Sequence, residues 1–165
     1  MNDQVPLIEL QDIKADNALG DIEIYSMKLY PGVYYQVQGE NGSGKSLLLD
    51  VTAHQRKYKS GDIFYLGKSQ KKGEYAVSLI KSKIGYLGQK PPFWKPGTVR
   101  SYLEKNLIRQ NKTPGVAYQE TANILDKFRL KDYLNAKRAK LSPGVFKKIE
   151  LIRILLQRND VILLD

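Results

Sequence analysis

The stretch GENGSGKS, Gly39 to Ser46, packs three glycines, a lysine and two hydroxyls into eight residues, between an alternating run, VYYQVQ, and an apolar one, LLLDV. These residue types suit a backbone wrapped around a phosphate. Glycines permit tight turns with bare N–H groups facing inward, and a helix starting at the loop's end adds its positive pole. The string satisfies G-x-x-x-x-G-K-[ST], the P-loop pattern. Gly39, Asn41, Gly42, Ser43, Gly44, Lys45, Ser46 and Leu47 are the candidate phosphate-binding residues. Lys45 is expected to reach the outer phosphates, and the Ser46 hydroxyl to ligate the magnesium ion that travels with them. The plain alternative is a Gly-rich turn, but four fixed positions recur by chance in so short a chain about once in a hundred or less. Context points the same way, since Val33 to Gln38 alternates like a strand and Leu47 to Val51 continues like a buried helix.

Around this loop the chain has 165 residues, 42% of them hydrophobic, enough for one good core and too few for a second full domain. No apolar run approaches the roughly 20 residues of a membrane span, and MNDQVPLIELQD lacks the basic start and apolar centre of a signal peptide. Without cysteine there are no disulfides and no thiolate zinc sites. His54, the single histidine, reads as an ordinary residue near the end of the P-loop helix. Twenty-seven Lys and Arg against 17 Asp and Glu leave +10, which suggests an anionic partner. Ten basic and four acidic side chains fall between Thr98 and Lys140. A solvated helical face is the plain account of that excess.

Residues 5 to 38 read as short strands and turns. A helix is expected from Gly44 to about His54, then a turn at Ser60 to Asp62, a strand IFYL and a basic loop. Ile84 to Gln89 reads as another short strand, followed by a rigid PPFWKPG. From Thr98 the period changes. Val99, Leu103 and Leu107, then Tyr118, Ala122, Leu125 and Phe128, recur at three-to-four spacing and predict a helical lobe reaching about Lys140. A last helix from about Val145 to Arg158 leads into VILLD, which reads as a buried parallel strand. The expected class is α/β, with a three-layer core interrupted by a helical insert.

Three later stretches narrow the P-loop reading. Gln89 ends a strand 44 residues after Lys45, LSPGV (Leu141 to Val145) opens the last helix, and VILLD closes the chain on Asp165. In this order they resemble the Q-loop, the LSGGQ-type signature and the Walker B strand of ATP-binding cassette (ABC) ATPases. Arg153 falls on the arginine commonly found in the signature helix, and SGDI and GTVRSYLEKNL are similar to the family's usual text. The resemblance implies a P-loop NTPase core with an N-terminal antiparallel β subdomain and an inserted helical subdomain, incomplete at the C-terminus. It implies one partial domain over 1–165, divided into a β subdomain and P-loop core (1–97), a helical subdomain (98–140), and the signature helix with the Walker B strand (141–165).

The same resemblance implies roles. Lys45, Gln89 and Asp165 would be the catalytic residues. Ser46, Gln89 and Asp165 would surround Mg2+, while Ser142 and Gly144 would cap the γ-phosphate of ATP on a second ABC ATPase domain, in a homo- or heterodimer. Membrane-spanning transporter subunits are the further partners implied, with the chain on the cytoplasmic, inner face of the cell membrane; nucleic acid is not expected. Departures from the pattern are Pro143, which offers no N–H, and Val145 in place of the signature's glutamine. Asp16 to Gly20 holds no aromatic residue to stack on adenine, Tyr25 being the nearest ring. The family's general base follows the Walker B Asp, so the chain is expected to be part of a longer ATPase. A transporter ATPase subunit, a catalytically silent ATP-binding partner, and a soluble ABC ATPase acting on nucleic acid or the ribosome are the three classes in view.

Overall fold

A computed structural model describes residues 4–17, 20–24, 26–70, 82–89 and 96–165, the side chains of 17 and 20–24 excepted. Tyr25, residues 71–73 of the expected basic loop and most of PPFWKPG lie outside the described residues. The chain forms two units, Met1–Gln89 with Asp160–Asp165, and Lys90–Asn159.

In the first unit, β1 (Ile8–Asn17), β2 (Gly20–Ile24), β3 (Met27–Leu29), β4 (Ser60–Tyr65) and β5 (Lys68–Ser69) make an antiparallel sheet. Its order is β2-β1-β4-β5, with β3 also paired to β1. The inward residues of β1 are Ile8 and Leu10, then Ile13 and Ala15, all essentially inaccessible. Strict alternation would put 13 and 15 on the outer face. The phase is reset by a register shift between Gln11 and Lys14, where Asp12 takes a left-handed φ of 49°. The same irregularity lets β4 begin at Ser60, so the stretch expected as a turn at Ser60 to Asp62 is strand, with Gln11 opposite Asp62 and Lys14 opposite Ser60.

The P-loop helix α1 (Lys45–Thr52) adds Leu47 and Val51 to a core that takes Ile8, Leu10 and Ile13 from β1 and Ile63 from β4. The same core receives Ile84 from β6 (Ile84–Leu87) and Leu163 from β7 (Val161–Leu164), which pair in parallel with Ile84 opposite Val161 and Leu87 opposite Leu164. Full burial of each such side chain stabilises the fold by roughly 1.5–3 kcal/mol.

Two expected strands differ from the outcome. VILLD pairs as expected, yet only Leu163 is buried, while Ile162 and Leu164 are exposed. Val33 to Gln38 joins no ladder and is exposed throughout. Residues 30–37 instead face β7 across a cleft of about 440 Å3, floored by Leu48 and Leu49 of α1. Alternation marks a segment able to pair, but pairing needs a neighbouring backbone within about 4.8 Å.

The second unit packs α2 (Val99–Ile108), α3 (Pro114–Lys127) and α4 (Pro143–Leu155), with 3₁₀ turns at Lys131–Tyr133 and Arg138–Lys140. Val99 and Leu103 of α2, Leu125 of α3, and Phe146, Ile149 and Ile152 of α4 form its core. On α3 the buried stripe runs Ala117, Thr121, Leu125, one residue off the expected Tyr118 and Ala122. Tyr118 is exposed and its ring lies under the Arg100 guanidinium, 4.6 Å from the centroid. Each of these helices starts on a hydroxyl cap. Thr98 and Ser101 form a reciprocal capping box on α2, Thr113 accepts from Val116 N–H on α3, and Ser142 accepts from Val145 N–H on α4.

Candidate nucleotide site

The loop from Gly39 to Ser46 is built as its glycines suggest. Gly42 and Gly44 take left-handed φ values of 86° and 95°, which a side chain would resist. Gly44 is the N-cap residue of α1, and no side chain caps the helix; its first turn also lacks an acid. The orphan N–H groups of that turn and the positive end of the helix are therefore left to whatever enters the loop. Lys45 Nζ donates to the Gly39 carbonyl at 2.8 Å and to the Glu40 carbonyl at 2.6 Å, so its ammonium already sits over the loop. Gly39, Asn41, Gly42, Ser43 and Gly44 are loop residues beside it. Leu47 differs from its neighbours: its side chain is buried in the core, which leaves only its backbone amide for a ligand.

Ser46, Gln89 and Asp165 converge, although they come from a helix start and from the ends of two strands. Ser46 Oγ donates to Asp165 Oδ1 at 3.0 Å and accepts from Gln89 Nε2 at 3.2 Å. The parallel pairing of β6 and β7 explains the meeting. Asp165 N–H donates to Leu87 O at 2.9 Å, so both strands end at the same level, with Gln89 and Asp165 just beyond them. Hydroxyl, carboxamide and carboxylate are hard oxygen donors of the kind magnesium takes, and a single carboxylate is typical where substrate phosphates complete the shell. No group of three or more His, Cys, Asp or Glu side chains able to hold a metal by themselves occurs among the described residues.

Three supporting residues escaped the sequence reading. Tyr86, on β6, donates to Asp50 Oδ1 on α1 at 2.6 Å, tying the Gln89 strand to the P-loop helix. Burial, then the bond to Asp50, push its phenol well above the usual tyrosine range. The tied ring lies over Gly88, where a Cβ would fall 2.6–2.7 Å from Tyr86 ring atoms. A side chain beside Gln89 would have to displace the Tyr86 phenol. The available signals were an acid inside LLLDV and a glycine between Leu87 and Gln89.

Ser142 and Gly144 lie in the second unit, at the start of α4, and both are exposed. Pro143 occupies the first turn, where a missing N–H costs the helix nothing and the fixed φ favours it. An added Cβ on Gly144 would meet nothing within 4 Å, so the chain itself does not require glycine there. TPGV at Thr113 opens α3 with the same chemistry as SPGV at Ser142.

A protein of Archaeoglobus fulgidus named as an ABC transporter ATP-binding protein is 30% identical over 171 residues, covering all of this chain and 70% of its own length. The macrolide export ATP-binding/permease protein MacB of Marinobacter nauticus is 24% identical, over 97% of this chain and 26% of that protein. The zinc import ATP-binding protein ZnuC of Mannheimia succiniciproducens is 27% identical, over 98% of this chain and 55% of its own. The chain thus spans about a quarter to about half the length of the latter two. A solved ATP-binding cassette, dimeric and bound to ADP and Pi, superposes with a TM-score of 0.80 at 20% identity, over 96% of this chain and 73% of that one, which establishes the P-loop NTPase fold. The sequence model described as ABC transporter matches residues 22–165, and with the P-loop, Gln89 and Asp165 all inside that span the chain belongs to the ABC transporter family.

Proposed function

We propose that this chain is the ATP-binding part of a transporter ATPase, which binds Mg-ATP in the GENGSGKS loop and couples its hydrolysis to transport through membrane subunits. The observation that carries the reading is the convergence of Ser46, Gln89 and Asp165, which are 43 and 119 residues from Ser46 along the chain. Lys45 would exchange the Gly39 and Glu40 carbonyls for the outer phosphates, while the uncapped start of α1 holds the phosphates through N–H groups. Ser46 and Asp165 would hold Mg2+ between them, and that ion would neutralise charge on the β- and γ-phosphates. Gln89, at the point where the chain leaves the first unit for the helical one, would report phosphate occupancy to α2–α4.

Ser142 and Gly144 would cap ATP on a second domain, in a homo- or heterodimer. The helical unit carries 16 Lys and Arg against five Asp and Glu between Lys90 and Asn159, and the remainder of the chain 11 against 12. That segregated charge supports assigning the helical unit as the surface that meets the membrane partner on the cytoplasmic face. No helix among the described residues is long and apolar enough to cross a membrane. An exporter and an importer both match over nearly the whole chain, which supports reading it as a shared ATP-driven engine. The domain division proposed is 1–97, 98–140 and 141–165.

Sedimentation of the intact gene product tests the reading. Mg-ATP, and not ADP, is expected to convert monomers into pairs, with phosphate release following. Association indifferent to nucleotide would sink it, and ATP-driven pairing without phosphate release would favour the silent ATP-binding partner.

A further inference from the structure

Inside the helical unit a charged group lies where charges are costly. Glu150, on α4, is 1% exposed. Its Oε2 accepts from Arg153 Nε at 3.0 Å, one turn further along the same helix. The Tyr102 phenol on α2 lies beside the same carboxylate, and burial followed by that charge pushes the phenol well above its ordinary value. The chain of contacts continues. Arg153 Nη1 donates to Gln157 Oε1 at 3.3 Å, Gln157 Nε2 to Asn106 Oδ1 at 3.4 Å, and Gln110 Nε2 to the Leu156 carbonyl at 2.9 Å. Asn106 and Gln110 belong to the α2 side, so the polar links fasten the C-terminal end of α4 to the last turns of α2.

A buried ion pair is a poor way to gain stability, because desolvation offsets much of the attraction; its better-attested use is to select one arrangement of packed elements. The apolar contacts of α2 and α4 alone, Val99, Leu103, Ile149 and Ile152, would tolerate small slides of one helix along the other. A buried carboxylate whose guanidinium partner is held in turn through Gln157 to Asn106 on α2 tolerates far less, since a lost partner leaves charge buried.

We propose that Glu150 is a positioning residue: through Arg153 and Gln157, which reaches Asn106 on α2, it fixes the rotation and axial register of α4 against α2, and thereby the placement of Ser142 and Gly144 toward a second copy's ATP. Ser142 lies eight residues upstream on the same helix, about two turns away, so a change of register at Glu150 is carried rigidly to it. This role rests on the two-copy reading of the signature given above.

Mixed pairs of the intact protein separate positioning from mere stability. One chain carries Lys45→Ala and binds no ATP; the other holds a fluorescent ATP analogue, whose release rate is followed. Glu150→Gln placed on the Lys45→Ala chain is expected to speed release about tenfold, because that chain supplies the cap. On the ATP-holding chain the same substitution is expected to leave release unchanged. Gln157→Ala, which breaks the link from Arg153 to Asn106, should show the same one-sided pattern more weakly. Equal effects in both placements, or none in either, would overturn the proposal. If the unsubstituted protein shows no ATP-driven pairing at all, the two-copy reading itself fails, and this role with it.

Discussion

Helices α1 and α4 begin in opposite ways. At α4 the Ser142 side chain accepts from Val145 N–H and Pro143 has no N–H to satisfy, so two first-turn positions need no ligand. At α1 Gly44 offers no side chain, and nothing in the loop substitutes for one. Since α2, α3 and α4 are all hydroxyl-capped, α1 is the one α-helix among the described residues whose positive end is left for a ligand. The difference separates a site that is built within one unit from a turn that gains a ligand only when another molecule brings it. It also gives Pro143 a structural purpose, because α3 uses the same Pro at the same helix position without any resemblance to a signature.

The largest effect is expected at the open helix. Lys45→Ala should weaken Mg-ATP binding about a hundredfold or more, read by calorimetric titration, because a charge-assisted contact to phosphate is lost. Ser142→Ala and Thr113→Ala then sharpen the contrast between the capped helices. Each removes one cap and should cost about 1 kcal/mol in denaturant unfolding. Only Ser142→Ala should weaken ATP-driven pairing as well, by about tenfold; equal effects on pairing would reduce SPGV to a second helix start of the TPGV kind. Pro143→Gly restores a donor and should tighten pairing a few-fold, about 1 kcal/mol, leaving ATP affinity in the P-loop unaltered.

Much of this contrast was readable in the residues, because P-loop chemistry is local. Glycines, Lys45 and Ser46 must be adjacent to act, so spacing reveals them, whereas Gln89 and Asp165 were marked by the resemblance to ABC ATPases. The capping of α3 and α4 was equally local. Features made by distant partners were not readable. Asp12 looks like any polar residue in a strand until β4 shows the register shift it creates. Glu150 sits beside the apolar stripe of α4 and could have been solvated; only the packing of α4 against α2 shows it buried. Val33 to Gln38 carries a true strand pattern yet pairs with no strand among the described residues.

The smallest effect concerns the base of the first unit. Tyr65, on β4, donates to Asp160 at the start of the β7 segment, and burial followed by that bond push its phenol up to about 12 from 10.0. A raised pKa means the folded state favours the protonated phenol, so its contribution is complete below about pH 10 and disappears between about pH 10 and 12. Unfolding midpoints should therefore fall more steeply across that window in the wild type than in Tyr65→Phe; parallel curves would show that the phenol contributes nothing.

The account rests most heavily on Ser46, Gln89 and Asp165 forming one magnesium and phosphate site. Its most direct test is ATP titration with Mg2+ and with EDTA, in the wild type and in Asp165→Asn. One ATP per chain, bound about tenfold or more tightly with Mg2+ in the wild type and with little Mg2+ dependence in Asp165→Asn, is the predicted result. An equal magnesium effect in both proteins would contradict it, and would place the metal away from the carboxylate that Ser46 meets.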